Sequence, residues 1–286
     1  MLTLCRVGVP ELPTSRDTAA TCGTILSSSG LRPMQTDENI FDGLGSRLSR
    51  AVAAYWLTRE RQTSKQSASG QTDQGARSAV TGGAQMDGFI GLLTEILVAA
   101  GIDRQHIFLK SRLELPGFFR PTKEWDILVV RNNQLIIALE TKSQVGPSFG
   151  NNFNNRTEEA MGSALDLWTA YREGALNKTV NPWLGYLFLL EDCPQSQRPV
   201  KAREPHFKVF EEFKDASYAK RYELFCRKLV RERHYCSSAF LMADKAGGLR
   251  GKYHEPASDL TFELFVRSLA GPCFWRDVNR DRTFQR

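Results

Sequence analysis

A chain of 286 residues has room for one large α/β domain or two small ones, and 41% hydrophobic with 24% charged residues is ordinary for a globular protein. A formal net charge of +6 and a pI near 9.0 favour anionic partners, nucleic acid before a membrane surface. No apolar run approaches a membrane span, and the six cysteines and four histidines show neither C-x-x-C nor zinc spacing, so reduced thiols in a cytoplasm are the expectation.

Residues 1–33 are rich in Ser, Thr, Gly and Pro, and charged residues (Arg6, Glu11, Arg16, Asp17) interrupt their short apolar runs. That pattern is not a secretory signal. It predicts a disordered extension, or a start-site artefact with Met34 as the initiator, ahead of a single domain over 34–286. From Asn39 to Arg61, Ile40, Leu44, Leu48, Val52, Tyr55 and Trp56 recur at helical spacing. Residues 62–85 are polar or small, a long loop whose Gln, Ser, Thr, Gly and Arg77 suit a phosphate backbone; a plain surface loop is the equal alternative. A second helix, about Met86–Ala100, stops at Gly101. Glu95 lies off its apolar stripe, on a face shared with Gly88 and Gly91 that allows close approach. It is a candidate third acid near a metal, although an exposed helical glutamate is the commoner fate.

Residues 107–110 predict an edge strand, joined by a Pro- and Phe-rich link to EWDILVVRNNQLIIALETK (124–142). Two apolar β-branched runs around Arg131-Asn132-Asn133-Gln134 predict strand, turn and strand. Asp126 enters the first strand; Glu140 leaves the second, with Lys142 on the same face two residues later. A two-residue turn would face Asp126 to Leu139, whereas a three-residue loop sets it opposite Glu140. Asn tolerates the positive φ of the longer loop, so the expectation is an odd-length loop or a bulge of the same effect. Two adjacent carboxylates repel unless a hard cation joins them, and such oxygen ligands suit Mg²⁺. A neighbouring ammonium then orients or helps deprotonate a water attacking a phosphate. This is the D…E-x-K pattern of metal-dependent nucleases; the plainer reading is a solvated strand end with an ordinary Glu–Lys pair.

The stretch SQVGPSFGNNFNNRTEEA (143–160) predicts a loop leading to a helix near Thr157, where Asn155 and Glu158 have capping-box spacing. Asparagine reads adenine bidentately and arginine suits guanine. The loop 144–156 therefore offers Gln144, Asn151, Asn152, Asn154, Asn155 and Arg156 as DNA contacts, with turn formation as the other role for its asparagines. Trp183–Leu190 is one apolar run, as for a strand covered on both faces. Residues 198–234 hold eleven Lys or Arg against six Asp or Glu and include one basic helix. A strand at Ala239–Ala243 and a helix at Leu260–Leu269 complete an α/β fold with a mixed central sheet flanked by helices.

The run LETKSQVGPSFGNNFNNRTEEAMGSALDLWTAYREGAL (139–176), with SAVTGGAQMDGF (78–89) and EPHFKVFEEFKDASYAKRY (204–222), closely resembles the XhoI family of type II restriction endonucleases. The resemblance spans roughly Gln35 to the C-terminus. It implies a restriction-endonuclease-like PD-(D/E)XK fold and a Mg²⁺-dependent homodimer that cuts double-stranded DNA at CTCGAG between C and T, leaving a 5′ overhang. A partner methyltransferase would protect the host's sites. By matching positions, Asp126, Glu140 and Lys142 are the catalytic triad, with Asp126, Glu140 and the Thr141 carbonyl around the metal; Trp125 stands where the named motif has proline. A six-base palindrome matches two identical subunits, and such a cut suits approach from the major groove, where 144–156 would insert. The alternatives are a structure-specific repair or recombination nuclease of the same fold, and a non-catalytic DNA-binding protein.

Overall fold

The computed structural model describes residues 40–68, 83–177 and 181–277, all within one compact unit, Gln35–Arg286. Residues 1–33 and Arg77 lie outside them. No helix among the described residues is long and apolar enough to cross a membrane.

Helix α1 (Leu44–Ala68) buries Leu44, Leu48, Ala51, Val52, Tyr55 and Trp56 on one stripe. It runs seven residues beyond its apolar pattern into the stretch expected as loop. There Thr63 and Ser64 donate their hydroxyls to the Arg59 and Glu60 carbonyls, so the helix continues past the core on polar contacts. Helix α2 (Asp87–Ala99) follows a 3-10 turn at Gly83–Met86 and ends before Gly101 at φ +89°. The two helices pack closely at Gly88, where an added Cβ would lie 2.9 Å from Ala54 Cβ.

Strand β1 (Ile107–Phe108) is the expected edge. The link after it is not irregular: β2 (Glu114–Pro116) and β3 (Thr122–Glu124) form their own two-stranded sheet. Strands β4 (Ile127–Arg131) and β5 (Gln134–Gln144) form the hairpin. Its turn is the two-residue pair Asn132–Asn133, at φ 50° and 58°, not the three-residue loop. A bulge compensates, because Val129 pairs with Ile137 while Val130 pairs with Leu135. Ile136 and Ile137 consequently enter the same core, with Leu135 and Ala138 in the opposite one. Below the bulge Ile127 faces Leu139, and one further step sets Asp126 opposite Glu140.

Helix α3 (Phe149–Arg172) begins eight residues before the expected Thr157. Asparagine favours caps over helix interiors. Here Phe149 and Phe153 anchor the first turns on Tyr218, Tyr222 and Phe225, and this packing overrides propensity. Thr157 sits within the helix and donates to the Phe153 carbonyl, so Asn155 caps nothing.

Strand β6 (Trp183–Glu191), helix α4 (Tyr218–Arg231, capped by Ser217), strand β7 (Ser237–Ala243) and helix α5 (Phe262–Asp277) complete the fold. The main sheet runs β1-β4-β5-β6-β7, antiparallel up to β5 and parallel beyond it. One face packs on α1, α2 and α5 and the other on α3 and α4. Burial on both faces explains the unbroken apolar run of β6.

Candidate active site

The hairpin carries its acids to the open end of the sheet. The Asp126 N–H donates to the Leu139 carbonyl, and Asp126 Oδ2 accepts from the Thr141 N–H (2.6 Å) and hydroxyl (3.0 Å). Two contacts with β5 thus fix this carboxylate, and a third fixes its backbone. Because the N–H and C=O of a strand residue face the same neighbour, the Thr141 carbonyl turns toward Asp126 as well.

Glu140 is only 2% exposed. Its Oε1 meets two ammonium groups, Lys142 at 3.0 Å and Lys123 at 3.2 Å, while Oε2 accepts from the Tyr235 hydroxyl at 3.1 Å. Burial works to raise this carboxyl's pKa, but Lys142 and Lys123 outweigh it and hold the group below its ordinary range. Burial likewise works to lower Lys142, and Glu140 and Asp126 outweigh it, keeping the lysine a firm ammonium. Lys142 here is a cation and a hydrogen-bond donor to Glu140. The buried Tyr235 phenol is held well above its ordinary pKa by burial and by Glu140, and stays a donor.

Asp126, Thr141, Lys142, Ser143 and Arg156 line a cleft of about 190 Å³ with Gln85, Met86 and Ile90. Arg156 pairs with Glu159, one turn on along α3, at 2.7 Å. The structure therefore brings together Asp126, Glu140, Thr141, Lys142 and Arg156. It does not bring Glu95, whose side chain is 65% exposed and meets Arg47 at 3.5 Å. Of the two glycines on the Glu95 face, Gly88 packs closely on α1 while Gly91 borders open space, and Gln85 is a polar side chain reaching the cleft from that end of the molecule.

Gln144 lies inside the fold: it is 3% exposed, and its amide donates to the Val145 carbonyl. Asn151, Asn154 and Asn155 are exposed along the first turns of α3, and Asn152 is half-buried. The sequence reading missed Lys123, Tyr235 and Gln85. Of these only Lys123 left a signal, as a cation three residues before the first acid.

Among the described residues no cluster of three or more His, Cys, Asp or Glu side chains forms a cation cage. The donor set at the hairpin end is two carboxylates and a backbone carbonyl. It fits Mg²⁺, which keeps several waters and takes one or two protein carboxylates.

A five-stranded mixed sheet covered on both faces, with a carboxylate pair and a lysine at one end, defines a restriction-endonuclease-like α/β protein. The family described as restriction endonuclease XhoI matches residues 65–255, and the chain belongs to it: it is a type II, site-specific DNA endonuclease. It is 60% identical over 202 residues to the type II restriction enzyme BstVI of Geobacillus stearothermophilus, across 69% of this chain and 90% of that protein. The type II restriction enzyme XhoI of Xanthomonas vasicola is 48% identical over 187 residues (64% and 75%), and AbrI of Azospirillum brasilense is 52% identical over 159 (55% and 71%). No solved structure matches the chain.

Proposed function

We propose that this endonuclease is a Mg²⁺-dependent homodimer that recognises CTCGAG and cuts between C and T with a 5′ overhang, alongside a methyltransferase that protects the same site. Likeness to a relative named XhoI supports the target. The carboxylate pair at the hairpin end supports the metal, and the symmetry of a palindrome supports the dimer.

Asp126, Glu140 and the Thr141 carbonyl hold the cation. When bound, it polarises the scissile phosphodiester and stabilises the leaving oxygen. Thr141 keeps Asp126 aimed through two hydrogen bonds, and Tyr235 keeps Glu140 aimed through one. Lys142 orients the water for in-line attack on phosphorus and offsets charge developing on the phosphate oxygens. The exposed Asn151, Asn154 and Asn155 share one side of α3 and meet the DNA, with Arg156 linking that surface to the cleft. The observation carrying this reading is Glu140, a buried carboxylate on two ammonium groups directly opposite Asp126.

Plasmid digestion in Mg²⁺ with sequencing of fragment ends tests it. Fragments beginning TCGAG at every CTCGAG are expected, and random nicking or another hexamer would refute the target. Glu140→Ala should lose cleavage by about three orders of magnitude or more while still binding DNA in Ca²⁺. Near-normal cutting by that variant would remove Glu140 from the mechanism.

A further inference from the structure

Lys123 lies outside the D…E-x-K pattern, yet it touches the central carboxylate nearly as closely as the pattern's own lysine does. Its ammonium stands 3.2 Å from Glu140 Oε1, 4.3 Å above the Trp125 ring, and 2.8 Å from the Glu124 carbonyl. Only 13% of its side chain is exposed. The seat is rigid. The β2–β3 tip is tied to α3 by buried Asp166, whose Oδ1 accepts the Phe118 and Phe119 N–H groups while Oδ2 takes the Arg120 guanidinium. At the other end the Trp125 N–H donates to the Leu113 carbonyl, and Trp125 itself is buried.

Asp126, Glu140, Lys123 and Lys142 together carry no net charge, and Arg156 is cancelled by Glu159. A site built from the two acids and Lys142 alone would carry one negative charge and attract a divalent cation more strongly. Both ammonium groups meet the same oxygen, Oε1, so a cation coming to that oxygen must displace one of them. Lys123 has two other partners ready, the indole face and the Glu124 carbonyl, and so gives way more easily.

We infer that Lys123 is a resident counter-ion that competes with the divalent cation for Glu140. It holds the DNA-free site neutral and makes cation and DNA load together, the displaced ammonium turning to a phosphate of the bound strand. The inference rests on the proposed placement of the cation at Asp126 and Glu140. Its use is protective: a nuclease charged with metal but without its site is one that nicks at random.

Calorimetric titration of Ca²⁺ into the DNA-free protein tests it. Lys123→Met, which keeps the length and apolar stem, should bind Ca²⁺ about tenfold more tightly than the parent, the effect of removing one adjacent like charge. Lys123→Arg should remain close to the parent, and the affinity of Lys123→Met for a cognate duplex in EDTA should fall. A lysine that merely props Glu140 in place predicts weaker Ca²⁺ binding in Lys123→Met, so unchanged or weakened binding overturns the inference. Glu140→Gln separates this from the site assignment. Ca²⁺ binding that survives in Glu140→Gln refutes the cation's placement and the inference with it. Binding lost in Glu140→Gln but not tightened in Lys123→Met refutes only the role of Lys123.

Discussion

At the scale of single residues, Glu140 shows how a charge is kept inside a protein. An isolated buried carboxylate would be neutralised by protonation. This one is matched by two ammonium groups and a phenol, and stays ionised. The phenol has a share that can be measured. Tyr235 also lies 3.2 Å from the Ala160 carbonyl, but its proton serves Glu140, the charged acceptor. Tyr235→Phe leaves one buried oxygen of the carboxylate without its donor and should cost about 1–3 kcal/mol in urea unfolding. It should also raise the Mg²⁺ concentration needed for half-maximal cleavage; an unchanged stability and Mg²⁺ requirement would deny the hydroxyl that role. Asp126, Glu140 and Lys142 were legible in the chain because strand alternation is a local rule. Lys123, 17 residues from Glu140, left only the signal of a cation near Asp126, and Tyr235, 95 residues away, left none.

At the scale of elements, the small β2–β3 sheet and the start of α3 show what periodicity misses. Three-residue strands are too short to display alternation, so the segment reads as a link; its order comes from Asp166 on α3. Burial works to raise the Asp166 carboxyl, but the Phe119 and Phe118 N–H groups and Arg120 outweigh it and hold it below its ordinary range. Asp166→Asn keeps an oxygen for the amides but surrenders the charged partner of Arg120, and should cost about 2 kcal/mol in chemical unfolding. If instead stability is unchanged, the tip is held by something other than this carboxylate. The exposed Phe118 and Phe119, 55% and 67% accessible, are not what anchors it. The asparagines before Thr157 carried helix-breaking propensity, and aromatic packing on α4 prevailed.

For the whole molecule, the depressed carboxyls set the acid limit of the fold. Glu140, Asp166 and Glu223 have folded pKa values below their ordinary ones, against a burial effect that would raise them; the opposing causes are led by Lys142, the Phe119 amide and Lys220 respectively. A depressed carboxyl contributes stability above its unfolded value, roughly pH 4, and loses it as pH falls through the folded value. The thermal midpoint should therefore hold between pH 7 and about 5 and drop steeply below about 4. A midpoint already declining between pH 7 and 5 would show that other groups govern acid unfolding. By itself the sequence determined the α/β layers, the doubly covered β6, and the pair of acids with a lysine at one hairpin end, since each is written in residues near one another along the chain. The tertiary structure alone decided that a two-residue turn with a bulge, and not a longer loop, turns Asp126 to Glu140, and it decided the early start of α3, the burial of Gln144, the exposure of Glu95, and the arrival of Lys123 and Tyr235. Those outcomes depend on where the core ends and which distant surfaces meet, and periodicity along the chain carries no record of either.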